Sequence, residues 1–276
     1  MDKVSFTGST EVGRRVMQLA SSTIKYSTME LGGKSANIIL DDADLDVAVP
    51  GSLWATFLHS GQICHSGTRA FVPASIYDEV IARMVELSEG LKVGPAGDFE
   101  TDLGPLVHRT QFETVDRYVQ IGLQEGAKLV TGGERVDIAG HDGGYYYKPT
   151  VFADVDNKMR ISQEEIFGPV LSVIKYDSVD EAIRMANDSI YGLAGGVWSR
   201  DIPRALEVAK RMRTGTVWIN DYHLLSAYGP FGGYKQSGVG RELGTWGIRG
   251  FQQVKYIHVD QTPRKDQKFW YQIAGL

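Results

Sequence analysis

Two side chains of this sequence could together form and hydrolyse a thioester. Cys64 is the only cysteine in the chain and lies in the glycine-rich, polar segment 61–69 (GQICHSGTR). Glu30 begins the segment 30–34 (ELGGK), a carboxylate on a glycine turn. A thiol nucleophile and a carboxylate base are the two groups that this chemistry needs. Because a lone cysteine is more often structural than catalytic, the assignment depends on the surrounding residues.

The composition is that of an ordinary globular protein. The 276 residues are 42% hydrophobic and 23% charged, which is enough for one large core or two smaller ones. The net charge of -5 leaves no basic surface for nucleic acid. No apolar run has the length of a membrane span, and the first residues lack the apolar core of a signal peptide. With its single cysteine, the chain is expected to be cytoplasmic, with no membrane partner.

Strands and helices alternate along the sequence, which predicts an α/β fold with a mostly parallel sheet. We predict strands at 4–6, 36–40, 70–72, 170–176, 216–219 and 252–259, and helices at 11–20, up to 59, after Ser75, around 112–119, and around 179–186 and 205–212. The acidic run 41–46 (DDADLD) is typical of a helix N-terminus, so no metal site is predicted. The turn before the helix at 11–20 could present N–H groups to a phosphate, or be an ordinary capped turn. The glycine-rich stretch 229–238 is predicted to be a functional loop.

Five segments occur in the order of the motifs of a known family. They are 6–10 (FTGST), 30–34 (ELGGK), 61–64 (GQIC), 164–170 (EEIFGPV) and 230–235 (PFGGYK). In these segments the chain resembles the aldehyde dehydrogenase superfamily, NAD(P)-dependent enzymes that oxidise aldehydes to acids. The resemblance extends to about Asp260 and corresponds to roughly the C-terminal half of a family member.

The resemblance implies an aldehyde dehydrogenase-like architecture. Residues 1–32 correspond to the last βα unit of a Rossmann-like cofactor domain, and residues 33–240 to a catalytic α/β domain. Residues 241–260 correspond to a return segment with an oligomerisation strand, and residues 261–276 form a tail. The first part of the cofactor domain is missing from this correspondence. So are the asparagine that completes the oxyanion hole and the contacts to the adenosine ribose.

The resemblance also implies roles for individual residues. The Cys64 thiolate attacks the aldehyde, a hydride passes to NAD or NADP, and Glu30 activates the water that hydrolyses the thioester. Because the discriminating ribose contacts are missing, the choice between NAD and NADP stays open. The positions that match cofactor contacts are Gly8, Ser9, Leu31, Glu165 and Phe167. Glu242 matches a proton-relay glutamate, and a plain carboxylate on a helix surface is an equal alternative. For Phe167, packing in the core is an equal alternative to a place beside the nicotinamide.

Polar neighbours of these residues are given structural roles. His65 is not assigned as a base for Cys64, because adjacent side chains seldom point the same way. Arg69 is expected to anchor its loop, and Glu164 to be solvated. Lys34 is expected to be structural or to face solvent. Residues 222–225 (YHLL) could line an aldehyde tunnel or simply pack as loop.

Three functions remain open. The first is an NAD(P)-dependent aldehyde dehydrogenase, with a small aldehyde as substrate. The second is a cofactor-independent thiol esterase that uses Cys64 and Glu30 alone. The third is a non-catalytic assembly subunit, because the family forms dimers and tetramers by sheet extension through the segment that is here about 252–260. A homo-oligomer is expected in the first and third cases.

Overall fold

The computed structural model describes residues 1–261, 264–268 and 270, so part of the predicted tail lies outside the described residues. Its regular elements are, in chain order, β1 (Lys3–Thr7), α1 (Thr10–Ser21), β2 (Tyr26–Glu30), β3 (Ala36–Ile39), α2 (Leu45–Phe57), β4 (Arg69–Pro73), α3 (Tyr77–Gly90), α4 (Arg109–Gln124), β5 (Lys128–Thr131), β6 (Arg135–Val136), β7 (Tyr146–Tyr147), β8 (Thr150–Ala153), α5 (Arg160–Gln163), β9 (Val170–Tyr176), α6 (Val179–Asn187), β10 (Ala194–Trp198), α7 (Ile202–Arg211), β11 (Thr216–Ile219), β12 (Gly238–Val239) and α8 (Gly244–Arg249).

A seven-stranded sheet in the order β11-β10-β3-β4-β9-β8-β5 forms the centre of the fold. All its neighbouring strands are parallel except β5, which runs antiparallel to β8. The inner strands β3, β4 and β10 are buried on both faces, as a sheet covered by helices requires. Helices α2 and α3 pack on one face, and α4, α6 and α7 pack on the other. The predicted α/β class with a parallel sheet is confirmed.

A smaller sheet carries the N-terminal segment. β1 and β2 pair in parallel, with α1 as their crossover, and β12 adds antiparallel to β2. Ser9 caps α1, since its hydroxyl accepts the N–H of Val12. The return of the chain through β12 closes this sheet against the end of β2, where Glu30 lies. The bounds 1–32 and 33–240 for two domains stay a prediction, although every strand of the large sheet lies between residues 36 and 219.

The predicted strand over 252–259 is not formed in this single chain. The residues from Gln252 to Gln261 belong to no helix or strand, and their side chains are exposed. A strand is held by a neighbouring strand, and no strand of the described chain pairs with this segment. Within the part of the chain that the structure describes, no helix is both long and apolar enough to cross a membrane.

Candidate active site

Glu30 ends β2 with its carboxyl group buried. Its side chain is 4% exposed, and no described group forms a hydrogen bond with either carboxyl oxygen. Burial, and then the charge of Glu242, raise the pKa of Glu30 to about 8, against a smaller lowering by Arg241. The carboxyl is therefore mostly protonated at neutral pH and becomes a base above about pH 8.

Gly232 of the predicted functional loop makes room for this carboxyl. A Cβ atom at Gly232 would lie 2.8 Å from Oε1 of Glu30, and the backbone there has φ +153°. Both the close approach and the conformation favour glycine. The loop and the glutamate, widely separated in the sequence, thus form one wall of the site.

Cys64 lies in a tight turn after a strained stretch of backbone. His59, Ser60 and Gly61 are all left-handed, with φ of 52°, 57° and 72°. The Ser60 hydroxyl donates to the carbonyl of Gly104 at 2.7 Å, which fixes the stretch. The N–H of Ser66 then donates to the Ile63 carbonyl at 3.1 Å and closes a turn that has Cys64 as a central residue.

The glutamate turn and the cysteine turn are in direct contact. A Cβ atom at Gly33 would lie only 2.4 Å from the carbonyl oxygen of Cys64. The segment 30–34 therefore packs backbone against backbone on the Cys64 loop, which only glycine permits. The structure thus brings together the two predicted catalytic residues.

The Cys64 thiol holds its proton in this environment. Burial, followed by the charges of Glu165 and Glu30, raises the thiol pKa to about 11, against smaller effects of backbone hydrogen bonds from His65 and Cys64. A reactive thiolate is therefore scarce at neutral pH and must be generated during the reaction.

Arg69 anchors the end of the Cys64 loop, as predicted. Its guanidinium is buried and donates to the carbonyls of Lys34, Met185 and Ala186 at 2.8–3.2 Å and to Oδ1 of Asn157 at 3.0 Å. These bonds join the start of β4 to the end of α6.

Glu165 reaches the same turn from the opposite side. Its Oε1 accepts the N–H of Gly33 at 3.1 Å, and burial raises its pKa to about 7 despite that bond and the nearby Lys34. A Cβ atom at Gly32 would lie 2.2 Å from Oε2 of Glu165. The carboxylate therefore lies flat against the glycine turn that carries Glu30.

Phe167 faces outward, so core packing does not explain it. Its side chain is 38% exposed and its backbone is left-handed, with φ 59°. The Nε2 group of Gln111 donates to the carbonyls of Ile166 and Phe167 at 2.8 Å, which holds this conformation. An exposed ring at a fixed angle is a surface on which a flat ligand can pack.

Gly8, Ser9 and Leu31 lie around the N-terminus of α1. The N–H of Gly8 donates to the Glu30 carbonyl at 3.1 Å. Leu31 is buried against α1, where a Cβ atom at Gly13 would strike its side chain at 2.4 Å. The Ser9 hydroxyl takes the N–H of Val12, so the ordinary capped turn is present, and only the remaining first-turn N–H groups of α1 could bind an anion.

The structure decides between alternatives for Glu242 and Lys34 and corrects the prediction for Glu164. Glu242 lies in an isolated bridge with Phe231, not on a helix surface, and its charge acts on Glu30. Glu164 is not simply solvated, because it pairs with Arg160 at 2.8 Å and accepts the Tyr118 hydroxyl at 2.6 Å. Lys34 is buried, and burial, then the charge of Arg69, lower its pKa to about 7.

Known proteins share this arrangement. The aldehyde dehydrogenase family model matches residues 1–257. The chain belongs to the aldehyde dehydrogenase family. It is 47% identical over 263 residues to a betaine aldehyde dehydrogenase of Bacillus subtilis, covering 95% of this chain and 54% of that protein. It is 48% identical to a betaine aldehyde dehydrogenase of Mesorhizobium japonicum, covering 94% and 53%.

Solved structures of this family include cofactor complexes. The chain matches the NAD+ complex of a Bacillus cereus aldehyde dehydrogenase with a TM-score of 0.89 and 47% identity, covering 92% of this chain and 51% of that one. It also matches a betaine aldehyde dehydrogenase point mutant of Staphylococcus aureus in complex with NAD+, with a TM-score of 0.93 and 42% identity, covering 96% and 54%. The chain spans about half the length of the curated relatives it matches.

An aromatic cluster around His65 was not foreseen from the aldehyde dehydrogenase motifs. The His65 ring lies 5.0–5.6 Å from the rings of Trp218, His223 and Phe231. The predicted tunnel segment 222–225 supplies His223 to this cluster. The sequence signal was the group of aromatic and histidine residues between Trp218, in the predicted strand 216–219, and Phe231, in the predicted loop; no local pattern predicts that they meet around His65.

Proposed function

We propose that this chain carries the chemical centre of NAD(P)-dependent aldehyde oxidation, with Cys64 as nucleophile and Glu30 as the base of hydrolysis. The observation that carries the proposal is the contact of Gly33 with the Cys64 carbonyl, because it holds a buried carboxyl and a partly buried cysteine in one site. Family membership supports the reaction class.

The chemistry of these residues follows from their ionisation. Cys64 attacks the aldehyde carbon, its sulfur forms a bond to that carbon, and the carbonyl oxygen takes the electron pair. After the substrate is oxidised, the acyl group remains on the sulfur as a thioester. Glu30 then takes a proton from water, and the hydroxide attacks the thioester carbonyl and releases a carboxylic acid and the Cys64 thiol.

The residues present fit the nicotinamide side of a dinucleotide. Glu165 is a partly buried carboxyl group that accepts the N–H of Gly33, and the exposed Phe167 ring offers a flat contact. Glu165 would hold the ribose, Phe167 would flank the nicotinamide, and Gly8, Ser9 and Leu31 would lie along the phosphates. When bound, NAD+ or NADP+ would accept the hydride that the substrate releases.

The test is the formation of NADH or NADPH by the purified 276-residue chain with a panel of aliphatic and aromatic aldehydes. A matched Cys64→Ser variant distinguishes catalysis from background reduction. We expect reduction that depends on Cys64, and the two cofactors compared side by side report the preference. A folded chain that reduces neither cofactor with any aldehyde would contradict the proposal.

Hydrolysis of activated esters, with the Cys64 thiol as nucleophile and without a cofactor, is a second candidate activity. The observation that favours it is that Cys64 and Glu30 both lie in this chain, and acylation by an activated ester needs no hydride acceptor. Hydrolysis of p-nitrophenyl acetate by the chain, compared with Cys64→Ala, tests it. Equal rates for the two proteins would rule it out.

A further inference from the structure

Arg241 lies beside the loop that makes room for the Glu30 carboxyl. A Cβ atom at Gly232 would lie 2.8 Å from Oε1 of Glu30 and 2.9 Å from Cδ of Arg241. A single glycine therefore lies between the two side chains. Arg241 reaches this place because it follows β12 in the chain, and Gly238 of that strand pairs with Glu30 at the end of β2.

The guanidinium of Arg241 ties that loop to the segment that follows β12. Its Nη1 atom donates to the carbonyl of Gly233 at 3.1 Å and to the carbonyl of Gly240 at 2.6 Å. The guanidinium carbon also lies 5.3 Å from the centre of the Tyr234 ring, a cation–π distance. These contacts fix the loop 232–234 in the position in which it borders the Glu30 carboxyl.

Arg241 also brings a positive charge to a carboxyl group whose oxygens are buried and accept no hydrogen bond from the described residues. Burial raises the pKa of Glu30 most, and the charge of Glu242 raises it further. Among the described residues, Arg241 carries the charge that lowers it. The two hydrogen-bond partners of Nη1 are neutral carbonyls, so these bonds leave the positive charge uncompensated. Because arginine stays protonated, this charge is constant while Glu30 titrates.

We propose that Arg241 is a positioning residue for Glu30, because it holds the loop 232–234 against the carboxyl and supplies a positive charge beside it. The importance of Arg241 for hydrolysis rests on the function proposed above, whereas its effect on the carboxyl needs no reaction. Without this charge the carboxylate forms only at higher pH, so less of the base is present at neutral pH. Arg241 acts through Glu30 and does not need to touch the substrate.

Titration of the Glu30 carboxyl carbon by NMR tests the effect of the charge. The protein is labelled with ¹³C at the glutamate carboxyl carbons, and Glu30→Gln identifies the Glu30 signal by its absence. We expect a midpoint near pH 8 in wild type and an upward shift of roughly one unit in Arg241→Met. Arg241→Lys keeps the charge and should stay close to wild type. Arg249→Met, at an exposed arginine that ends α8, should leave the midpoint unchanged.

The direction of the shift distinguishes the charge from packing. If Arg241 only filled space, its loss would let water reach the Glu30 carboxyl and move the midpoint down toward the model value of 4.5. Loss of a positive charge moves the midpoint up instead. An unchanged or lowered midpoint in Arg241→Met would therefore overturn the proposal. Should that variant fail to fold, Arg241→Gln removes the charge, keeps an N–H donor for the carbonyls and carries the same expected upward shift.

The rate of thioester hydrolysis tests the positioning. After brief acylation of Cys64 by p-nitrophenyl acetate, the loss of the acyl mass is followed in rapid-quench samples from about pH 6 to 10. In wild type the rate should rise with pH and level off above about pH 8. Arg241→Lys should level off at a similar pH, but at a rate about tenfold lower, because an ammonium group lacks the planar geometry that holds the loop.

The two measurements separate this proposal from the function on which it rests. A plateau rate in Arg241→Lys equal to that of wild type would show that the guanidinium does not position the loop. If Glu30→Gln hydrolyses the thioester as fast as wild type, Glu30 is not the base and the proposed function fails. The NMR titration needs no aldehyde, cofactor or ester, so its midpoints still support or refute the effect of Arg241 on the carboxyl.

Discussion

At the scale of single residues, the two groups that are proposed to react are mostly uncharged at neutral pH. The Cys64 thiol and the Glu30 carboxyl have pKa values raised to about 11 and 8, in both cases mainly by burial. A charged thiolate and carboxylate side by side in a buried site would repel each other and lose their hydration. In the proposed reaction, proton transfer must therefore accompany the steps in which these two groups act.

The raised pKa of Glu30 has a consequence for stability. A group whose folded pKa is above its unfolded value of about 4.5 stabilises the fold below that value and loses this contribution as pH rises through about 8. The Glu30→Gln variant removes the buried charge that forms at high pH. In urea denaturation, we expect Glu30→Gln to have a larger free energy of unfolding than wild type near pH 9, and a smaller difference near pH 6.

The exposed Glu100 provides the matched control for this measurement. Glu100→Gln should leave the pH dependence of stability as in wild type, because its carboxylate is solvated in both states. If Glu30→Gln and wild type differ equally at both pH values, the carboxyl does not titrate in the way described.

At the scale of elements, glycines bring separate segments into contact at the site. Gly61, with φ +72°, lies so close to the Gly168 carbonyl that an added Cβ would be 2.1 Å away. This contact holds the Cys64 loop against the segment that carries Glu165 and Phe167. The position therefore couples the nucleophile to the residues that would hold the cofactor.

Gly61→Ala tests that coupling. We expect a loss of folding free energy greater than the ~1–2 kcal/mol that a left-handed Cβ costs, because the clash adds to it. Gly126→Ala is the matched control, since Gly126 has φ +91° and open space around it. Urea denaturation compares the folding free energies of the two variants. A changed rate of Cys64 alkylation in Gly61→Ala reports displacement of the Cys64 loop. Equal destabilisation by both substitutions would show that the Gly168 contact is unimportant.

Arg69 has a similar joining role through hydrogen bonds. In Arg69→Met, the carbonyls of Lys34 and Ala186 lose the guanidinium donor, and we expect a loss of folding free energy of about 3 kcal/mol or more. The control is Arg83→Met, whose guanidinium pairs with Asp46 and Glu79 at the surface and should matter little. Similar denaturation midpoints for both variants would contradict this role.

The strands that sequence patterns predicted are those rich in β-branched residues. Residues 170–176 and 216–219 form β9 and β11 with the predicted bounds. The prediction missed β10, which lies between β11 and β3 in the sheet. Its residues Gly195 and Gly196 have low strand propensity. At Gly195 a Cβ would strike Met212 at 2.4 Å and the Ala36 carbonyl at 2.9 Å. The glycine is needed for tertiary packing, which local propensity does not register.

The sequence motifs select the candidate site residues but do not predict their contacts. The motifs pointed to Cys64 and Glu30, yet the 3.7 Å contact of His65 Nδ1 with the Cys64 sulfur depends on turn geometry. The surroundings of Glu164 likewise depend on Arg160 and Tyr118, which come from α5 and α4. Such contacts arise from the fold and carry no local sequence signal.

At the scale of the whole molecule, the C-terminal segment 252–260 is an exposed apolar stretch. Val254, Tyr256, Ile257 and Val259 are 98%, 85%, 74% and 69% exposed. Exposed side chains of this size favour association. We propose that the segment pairs with another copy of the chain in a homo-oligomer, the state that the family resemblance implies.

Light scattering of the purified chain tests the assembly. We expect an oligomer in wild type and a shift to monomer in a Val254→Lys, Ile257→Lys double variant, because buried lysines are costly. Leu206→Lys, at a half-exposed position on α7, should leave the mass unchanged. A monomeric wild type, or an oligomer that survives the double substitution, would contradict the proposal.

The central claim is that Cys64 forms a thioester that Glu30 hydrolyses, and trapping the thioester tests it most directly. In Glu30→Gln, hydrolysis should slow by roughly 10²–10⁴-fold, so the acyl group should accumulate on the protein. Intact mass after incubation with p-nitrophenyl acetate should show one acyl group on Glu30→Gln, little on wild type, and none on Cys64→Ser. Equal acylation of wild type and Glu30→Gln, or an adduct that persists in Cys64→Ser, would contradict the account.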